Sequence, residues 1–304
     1  MSFPSSSSSD SVISVVDLVC EFGPVKALDG VSLQVPRGSV FGLVGVNGAG
    51  KTTLIKHALG LLKPQAGEVK TLGMNPVVES IEVLKRIGYL SEKRDLASWM
   101  RVDELVRFTK AFYEGWDDGY VESLLERFQL RREAKVKTLS QGQLAKTALM
   151  IALAYHPELL ILDEPSSGLD PIVRREILEA ILRTIGEEGR TVFFSSHLLD
   201  EIERVCDFVA IVDRGKVMAT GRMGELKERY RLVTVKVPQD VSVNGVSGLV
   251  KSSGEESQFL LERNGTAGTA LSEELSQLKA ELVEEDTPSF DEIFAGLSGS
   301  AREG

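Results

Sequence analysis

The chain has 304 residues, of which 42% are hydrophobic and 26% charged, enough for one large domain or two smaller ones with a substantial core. A formal net charge of −10 counts against a broad nonspecific nucleic-acid face, which needs a basic footprint. The two cysteines, Cys20 and Cys206, lie in no C-x-x-C pair and near no histidine at ligand spacing, so they read as reduced, buried thiols. No apolar run reaches the ~20 residues of a membrane helix. The densest, Ala148 to Ala154, reads as a buried helix. Met1 to Pro4 lacks the basic and apolar segments of a secretory leader. A role at a membrane would therefore need another chain to supply the span.

In chain order, residues 1–12 read as a disordered tail around the serine run Ser5 to Ser9, with order expected from Ile13. Val40 to Val44 is a buried-strand candidate, and Thr52 to Leu62 is predicted helical. Strand then helix is the unit of a parallel α/β sheet. From about 93 to 145 the pattern turns helical, with Leu105, Phe108 and Phe112 and then Val121, Leu124, Leu125 and Phe128 at helical spacing. The α/β pattern resumes with strand Leu159 to Leu162, a helix over Val173 to Ile185, strand Thr191 to Phe194 and the run Phe208 to Val212. Residues 226–304 read as a small α+β appendage. There Val233, Val235 and Val237 alternate as in a half-buried strand, Gln258 to Leu261 reads as a strand, and Leu271 to Leu282 reads as a helix. Ser289 with Glu292 three residues later reads as a capping box.

Three segments carry chemistry. Gly45-Val46-Asn47-Gly48-Ala49-Gly50-Lys51-Thr52 fits G-x-x-x-x-G-K-[ST] between a strand and a helix. Such a loop wraps a triphosphate because successive N–H groups point inward with no Cβ in the way. The helix N-terminus adds positive potential, Lys51 meets the β and γ phosphates, and the Thr52 hydroxyl reaches Mg²⁺. Leu159 to Leu162 ends in Asp163-Glu164-Pro165. Asp163 is placed to hold Mg²⁺ directly or through water, and Glu164 to accept a proton from the attacking water. Leu139-Ser140-Gln141-Gly142-Gln143 precedes an apolar helix, where Ser140 is also a plausible plain N-cap.

This third segment resembles the LSGGQ signature of ATP-binding cassette proteins, with Gln141 in place of the first glycine. Other positions follow in the family's order across residues 13–225. Ser167-Gly168-Leu169-Asp170 resembles the D-loop, and His197 after Phe193-Phe194-Ser195-Ser196 resembles the switch histidine. Phe22 stands where the family stacks an aromatic on adenine, although core packing would serve it as well. Glu92 stands where the family has its Q-loop glutamine, and its carboxylate keeps the ability to reach Mg²⁺ or a water. Trp99 and Met100 fall in the region that faces a permease coupling helix, or else pack the helical insertion. Pro288-Ser289-Phe290-Asp291-Glu292-Ile293-Phe294 is similar to the C-terminal end of subunits that serve drug, antibiotic and polysaccharide exporters.

The resemblance implies a P-loop NTPase (RecA-like) core with an antiparallel β subdomain, an inserted helical subdomain and a C-terminal appendage. It implies an ATPase with ATP and Mg²⁺ as ligands. The nucleotide set is Phe22, the loop Gly45 to Lys51 with Thr52 and Thr53, Glu92, Ser140, Gln141, Gly142, Gln143 and Asp170. The catalytic set is Lys51, Glu164 and His197, and the metal set is Thr52, Asp163 and Glu92. It implies a head-to-tail homodimer or heterodimer, peripheral at the cytoplasmic face of a membrane, driving a separate permease and binding no nucleic acid. A soluble cassette ATPase acting on nucleic acid or ribosomes is the alternative. It is disfavoured by the single cassette, the lack of a heptad run and the acidic charge. A regulator that binds ATP without hydrolysing it is disfavoured by the presence of Asp163, Glu164 and His197.

Overall fold

The computed structural model describes residues 10–186, 189–238, 243, 246, 248–253, 256–263, 280–298 and 302–303. The strands in chain order are β1 (Ser11–Phe22), β2 (Val25–Pro36), β3 (Val40–Val44), β4 (Ala66–Thr71), β5 (Ile87–Leu90), β6 (Leu159–Asp163), β7 (Thr191–Ser196), β8 (Phe208–Asp213), β9 (Lys216–Arg222), β10 (Tyr230–Lys236), β11 (Leu249–Ser253), β12 (Glu256–Glu262), β13 (Glu281–Asp286) and β14 (Arg302–Glu303). The helices are α1 (Lys51–Ala58), α2 (Ser80–Leu84), α3 (Val102–Lys110), α4 (Asp118–Arg127), α5 (Gln141–Leu153), α6 (Pro171–Gly186), α7 (Leu199–Val205), α8 (Met223–Arg229) and α9 (Phe290–Ser298).

The central sheet runs β5-β6-β7-β3-β8-β9, parallel except for β9, which lies antiparallel to β8. A sheet covered on both faces asks for apolar residues at every position rather than at alternate ones. Strands β3 and β6 are accordingly buried throughout. Val40, Val44, Leu160 and Leu162 face a core shared with α5 and α6, whereas Phe41, Leu43, Leu159 and Ile161 face a second core under the antiparallel sheet β2-β1-β4. Phe41 sits opposite Phe193 in the β3–β7 register, with ring centroids 5.7 Å apart. Helices α3, α4 and α5 fill the chain between β5 and β6.

The register has a direct consequence for function. Val44 pairs with Ser196, and Asp163 pairs with Ser195. The C-terminal ends of β3, β6 and β7 therefore stop at one level. In open parallel sheets ligands bind outside that edge.

The third sheet runs β13-β10-β12-β11-β14. Its Leu232, Val250 and Leu260, together with Phe290 and Ile293 of α9, join the same core as Ile202, Val209 and Ile211. The appendage is thus packed into the main core. The Ser289–Glu292 capping box forms as expected: Ser289 N–H donates to Glu292 Oε2 at 2.7 Å, and Glu292 N–H donates to Ser289 Oγ at 3.3 Å. Both cysteines are free and buried. Among the described residues, no helix is long and apolar enough to cross a membrane.

Several boundaries differ from the sequence reading. Strand β1 begins at Ser11, two residues before the expected Ile13. Helix α1 stops at Ala58 instead of Leu62, because Gly60 turns the chain at φ 72° with its α-carbon against the Pro76 carbonyl. Strand β10 is not half-buried. Leu232 faces the main core while Val233 and Val235 face a small third core, so Thr234 between them is only 9% exposed. Glu281 and Leu282, expected at the end of a helix, pair with Lys236 and Val235 as part of β13. The predicted helical positions 271–279 and the serine tail lie outside the described residues. Phe108 and Phe112 lie on the outer side of the helical insertion, 53% and 61% exposed, in edge contact with each other.

One buried carboxylate fixes α7 against the central sheet. Glu201 is 1% exposed, and the Ser166 and Ser196 hydroxyls donate to its Oε2 at 2.6 and 3.1 Å. Arg174 Nε on α6 lies 3.3 Å from Oε1. Burial pushes the Glu201 carboxyl above its ordinary value of 4.5, and the two serines and Arg174 oppose that rise. Below that value the group is protonated in both the folded and unfolded chain. As pH rises through the window above 4.5, the unfolded chain ionises first and gains relative stability. Glu201→Gln removes this dependence. The stability of Glu201→Gln relative to the parent is therefore expected to increase as pH is raised above about 4.5 and then level off, read from urea midpoints of both proteins at matched pH.

Candidate active site

The loop Gly45–Gly50 leaves the end of β3 and turns into α1. Gly50 sits at φ 108°, and a Cβ there would stand 2.6 Å from the Ala27 carbonyl. Gly48, at φ 84°, has open space where a Cβ would lie, so its backbone conformation alone selects glycine. Val46, Asn47 and Gly48 are exposed, and the loop is closed by Ala49 N–H donating to the Val46 carbonyl at 3.1 Å. Thr53 follows on the first turn of α1.

Lys51 is 6% exposed. Its Nζ donates to the Gly45 carbonyl at 2.7 Å and to the Val46 carbonyl at 3.3 Å, and it lies 3.0 Å from Glu164 Oε1. Glu164 follows β6 at φ 49°, a left-handed conformation that costs a non-glycine residue on the order of 1–3 kcal/mol. Ser195 on β7 holds it there: Glu164 N–H donates to Ser195 Oγ at 3.0 Å, and that hydroxyl donates to Asp163 Oδ1 at 2.8 Å. Thr52 Oγ1 also donates to Asp163 Oδ1, at 3.2 Å. His197 Nδ1 lies 2.7 Å from Glu164 Oε2 and donates to it when the carboxylate is ionised. Lys51, Thr52, Asp163, Glu164 and His197 thus form one contiguous constellation at the C-terminal edge of the sheet. Tyr89 on β5 stands beside it. Its hydroxyl is pushed up to about 12 by burial, with the Asp163 charge adding to the shift.

These residues fit a magnesium-bound triphosphate. Lys51, whose Nζ faces Glu164 Oε1 and two loop carbonyls, offers a cation, and the glycine loop leaves its backbone approachable. Thr52 and Asp163 offer two hard oxygens side by side. Among the described residues no group of three acidic, histidine or cysteine side chains is arranged to hold a metal ion by itself. That pattern suits Mg²⁺, which keeps waters and substrate phosphates as most of its ligands.

The other expected site residues lie elsewhere. Glu92 is exposed in the turn after β5, and no hydrogen bond or ion pair among the described residues joins it to Thr52 or Asp163. That turn sends Arg94 inward instead. Phe22 is 51% exposed at the tip of the β1–β2 hairpin, which removes core packing as its role. Ser140, Gln141 and Gln143 are exposed at the start of α5, where Ser140 and Gln143 form a capping box. Gly142 is buried, with Val173 3.0 Å from where its Cβ would be. Asp170 caps α6 by accepting from the N–H groups of Ile172 and Val173, both at 3.0 Å. Trp99 is 75% exposed, so it is not a core residue of the helical insertion. Sequence reasoning missed Ser195, Arg94, Ser166 and Glu201. The available signal was a pair of serines at the end of a strand with an apolar centre, and one of them is Ser195.

Comparison with known proteins gives the family. The ABC transporter family profile matches residues 28–167. The chain is 34% identical over 91% of its length to the uncharacterized ABC transporter ATP-binding protein YhaQ of Bacillus subtilis, covering 88% of that protein. It is 32% identical to the daunorubicin resistance ATP-binding protein DrrA3 of Streptomyces coeruleorubidus, over 96% of this chain and 98% of that one. It is 35% identical to the bacitracin transport ATP-binding protein BcrA of Bacillus licheniformis, over 72% of each. A solved ATP-binding subunit of an ABC transporter, 30% identical, superposes with a TM-score of 0.66 over 71% of this chain and 92% of that one. The chain belongs to the ATP-hydrolysing ATP-binding subunits of the ABC transporter family, in the branch that includes drug and antibiotic exporters.

Proposed function

We propose that this chain powers an exporter whose membrane span is a separate permease, and that it does so as one half of a head-to-tail pair of cassettes at the cytoplasmic face. The observation that carries the reading is the Lys51–Glu164–His197 chain of contacts beside the Thr52–Asp163 pair. A base, a phosphate-binding cation and two hard oxygen ligands meet at one edge, while Ser140–Gln143 and Asp170 stand exposed on other elements. A second copy, or a related cassette, would bring its own Ser140 segment to the γ-phosphate and complete the site. The export reading draws on the relatives named for bacitracin transport and daunorubicin resistance.

Thr52 and Asp163 would hold Mg²⁺, which when bound would supply charge neutralisation of the phosphates. Lys51 moves from the Gly45 and Val46 carbonyls and from Glu164 to the β and γ phosphates of the incoming ATP. That leaves the Glu164 carboxylate free to accept a proton from water, the task of a general base. His197, in contact with Glu164 at Nδ1, is available to donate a ring N–H to the γ-phosphate. Phe22, exposed at its hairpin tip, is available to stack on the adenine. Exposed Trp99, with exposed Phe108 and Phe112 on the same helical insertion, is the surface proposed to meet the permease. The cassette in this reading spans residues 13–225, with 226–304 as an appendage.

Glu164→Gln is expected to bind ATP, to accumulate as a closed dimer and to lose turnover by ~10²–10⁴-fold in a phosphate-release assay. Wild-type turnover in that variant removes Glu164 from the base role. Lys51→Ala is expected to weaken ATP binding by roughly 10- to 100-fold in calorimetric titration, since a charge-assisted contact is lost.

A further inference from the structure

Arg94 is the only arginine buried among the described residues, at 5% exposure. It closes the turn after β5: its N–H donates to the Ser91 carbonyl at 3.0 Å, and its own carbonyl accepts from Leu96 N–H at 2.8 Å. Its φ is 51°, a left-handed conformation rarely kept by a residue with a side chain unless its surroundings enforce it. Nη2 donates to the Ser167 carbonyl at 2.6 Å and to the Pro165 carbonyl at 3.2 Å. Nε is buried without an acceptor. Burial draws the guanidinium pKa down, and the nearby Glu92 charge works against that.

The segment that Arg94 grips begins at the residue after Glu164 and leads to Asp170. From the other side, Glu201 of α7 accepts from the Ser166 hydroxyl at 2.6 Å. Pro165–Ser167 is therefore held by its carbonyls from the β5 turn and by its hydroxyl from α7. A buried cation bound only to backbone carbonyls is an expensive way to fill space, because it gains no carboxylate partner. An apolar side chain would fill the same volume without that cost, so the geometry asks for a task beyond packing.

We propose that Arg94 is a positioning residue that ties the turn after β5 to the segment between Glu164 and Asp170. A shift of that turn then moves the general base and the Asp170 face offered to the second cassette together. The proposal rests on the reading of Glu164 as the base.

The test compares Arg94→Met and Arg94→Lys with the parent protein, measuring kcat, KM for ATP and nucleotide binding. In a Glu164→Gln background, ATP-dependent dimerisation is measured by sedimentation. Arg94→Met is expected to lower kcat by roughly 10- to 100-fold, with nucleotide affinity changed by less than about 2-fold. It should also shift the ATP-dependent dimer to higher protein concentration. Arg94→Lys keeps the charge but reaches only one carbonyl at a time, so it should fall between the two. An unchanged kcat in folded Arg94→Met, or losses of kcat and of nucleotide affinity that match, overturns the proposal and leaves Arg94 a packing residue. If Arg94→Met does not fold, Arg94→Lys carries the test, and a kcat and dimer equal to the parent's overturn it. If Glu164→Gln alone retains turnover, the base assignment fails, while the Arg94 effect on kcat remains readable with Glu164 intact.

Discussion

A buried lysine facing a buried glutamate constrains this molecule more than any other contact. Lys51 and Glu164 are each 6% exposed at the side chain and lie 3.0 Å apart. Neither charge is tolerable alone at that depth, and removing one partner strands the other. The pair exists because β3 and β6 flank β7 in a parallel sheet whose register ends all three strands at one level. Its geometry is finished by Ser195, which accepts the Glu164 N–H and donates to Asp163. In this arrangement the site neutralises itself. In the proposed mechanism the phosphates of ATP replace the Glu164 carboxylate beside Lys51, so that occupancy by ATP and availability of Glu164 as base would be the same event.

The same constraint explains why one chain holds only part of the proposed machinery. The loop Gly45–Thr53 and the carboxylates are fixed by the central sheet, whereas Ser140–Gln143 opens α5 on the helical insertion. Those signature residues are satisfied locally by their own capping box and still present exposed side chains. Pro165–Ser167, directly after the carboxylates, is gripped by Arg94 and by Glu201. The appendage adds to this by packing Phe290 and Ile293 into the core that also contains Ile202 of α7. Helix α7 in turn begins two residues after His197.

Much of this was legible from the residues. Fully apolar strands and the glycine loop mark β3, β6 and the α1 turn, because a two-face-buried sheet and a phosphate loop each impose strict residue types. Lys51, Thr52, Asp163, Glu164 and His197 converge as their motif order implies. What escaped notice were residues whose roles depend on partners distant in sequence. Arg94 reads as one charge among Glu92, Lys93 and Asp95, and only its tertiary contacts with residues 71 and 73 positions onward distinguish it. Glu201 looks like an ordinary exposed helix acid until Ser166 and Ser196 close on it. Strand β10 carries period-two alternation, yet both of its faces are covered, a fact set by the appendage docking on the core. Glu281 and Leu282 close a segment read as a helix from its residue spacing, but pairing with β10 decides their conformation.

The central claim is that substrate takes Lys51 away from Glu164. A crystallographic structure of Glu164→Gln with Mg-ATP and one of the parent with a non-hydrolysable triphosphate analogue would measure this directly. In the parent, Lys51 Nζ should leave its 3.0 Å contact with Glu164 and bond to phosphate oxygens, with Thr52 and Asp163 beside the metal. A bound nucleotide that leaves the Lys51–Glu164 contact intact would contradict the account.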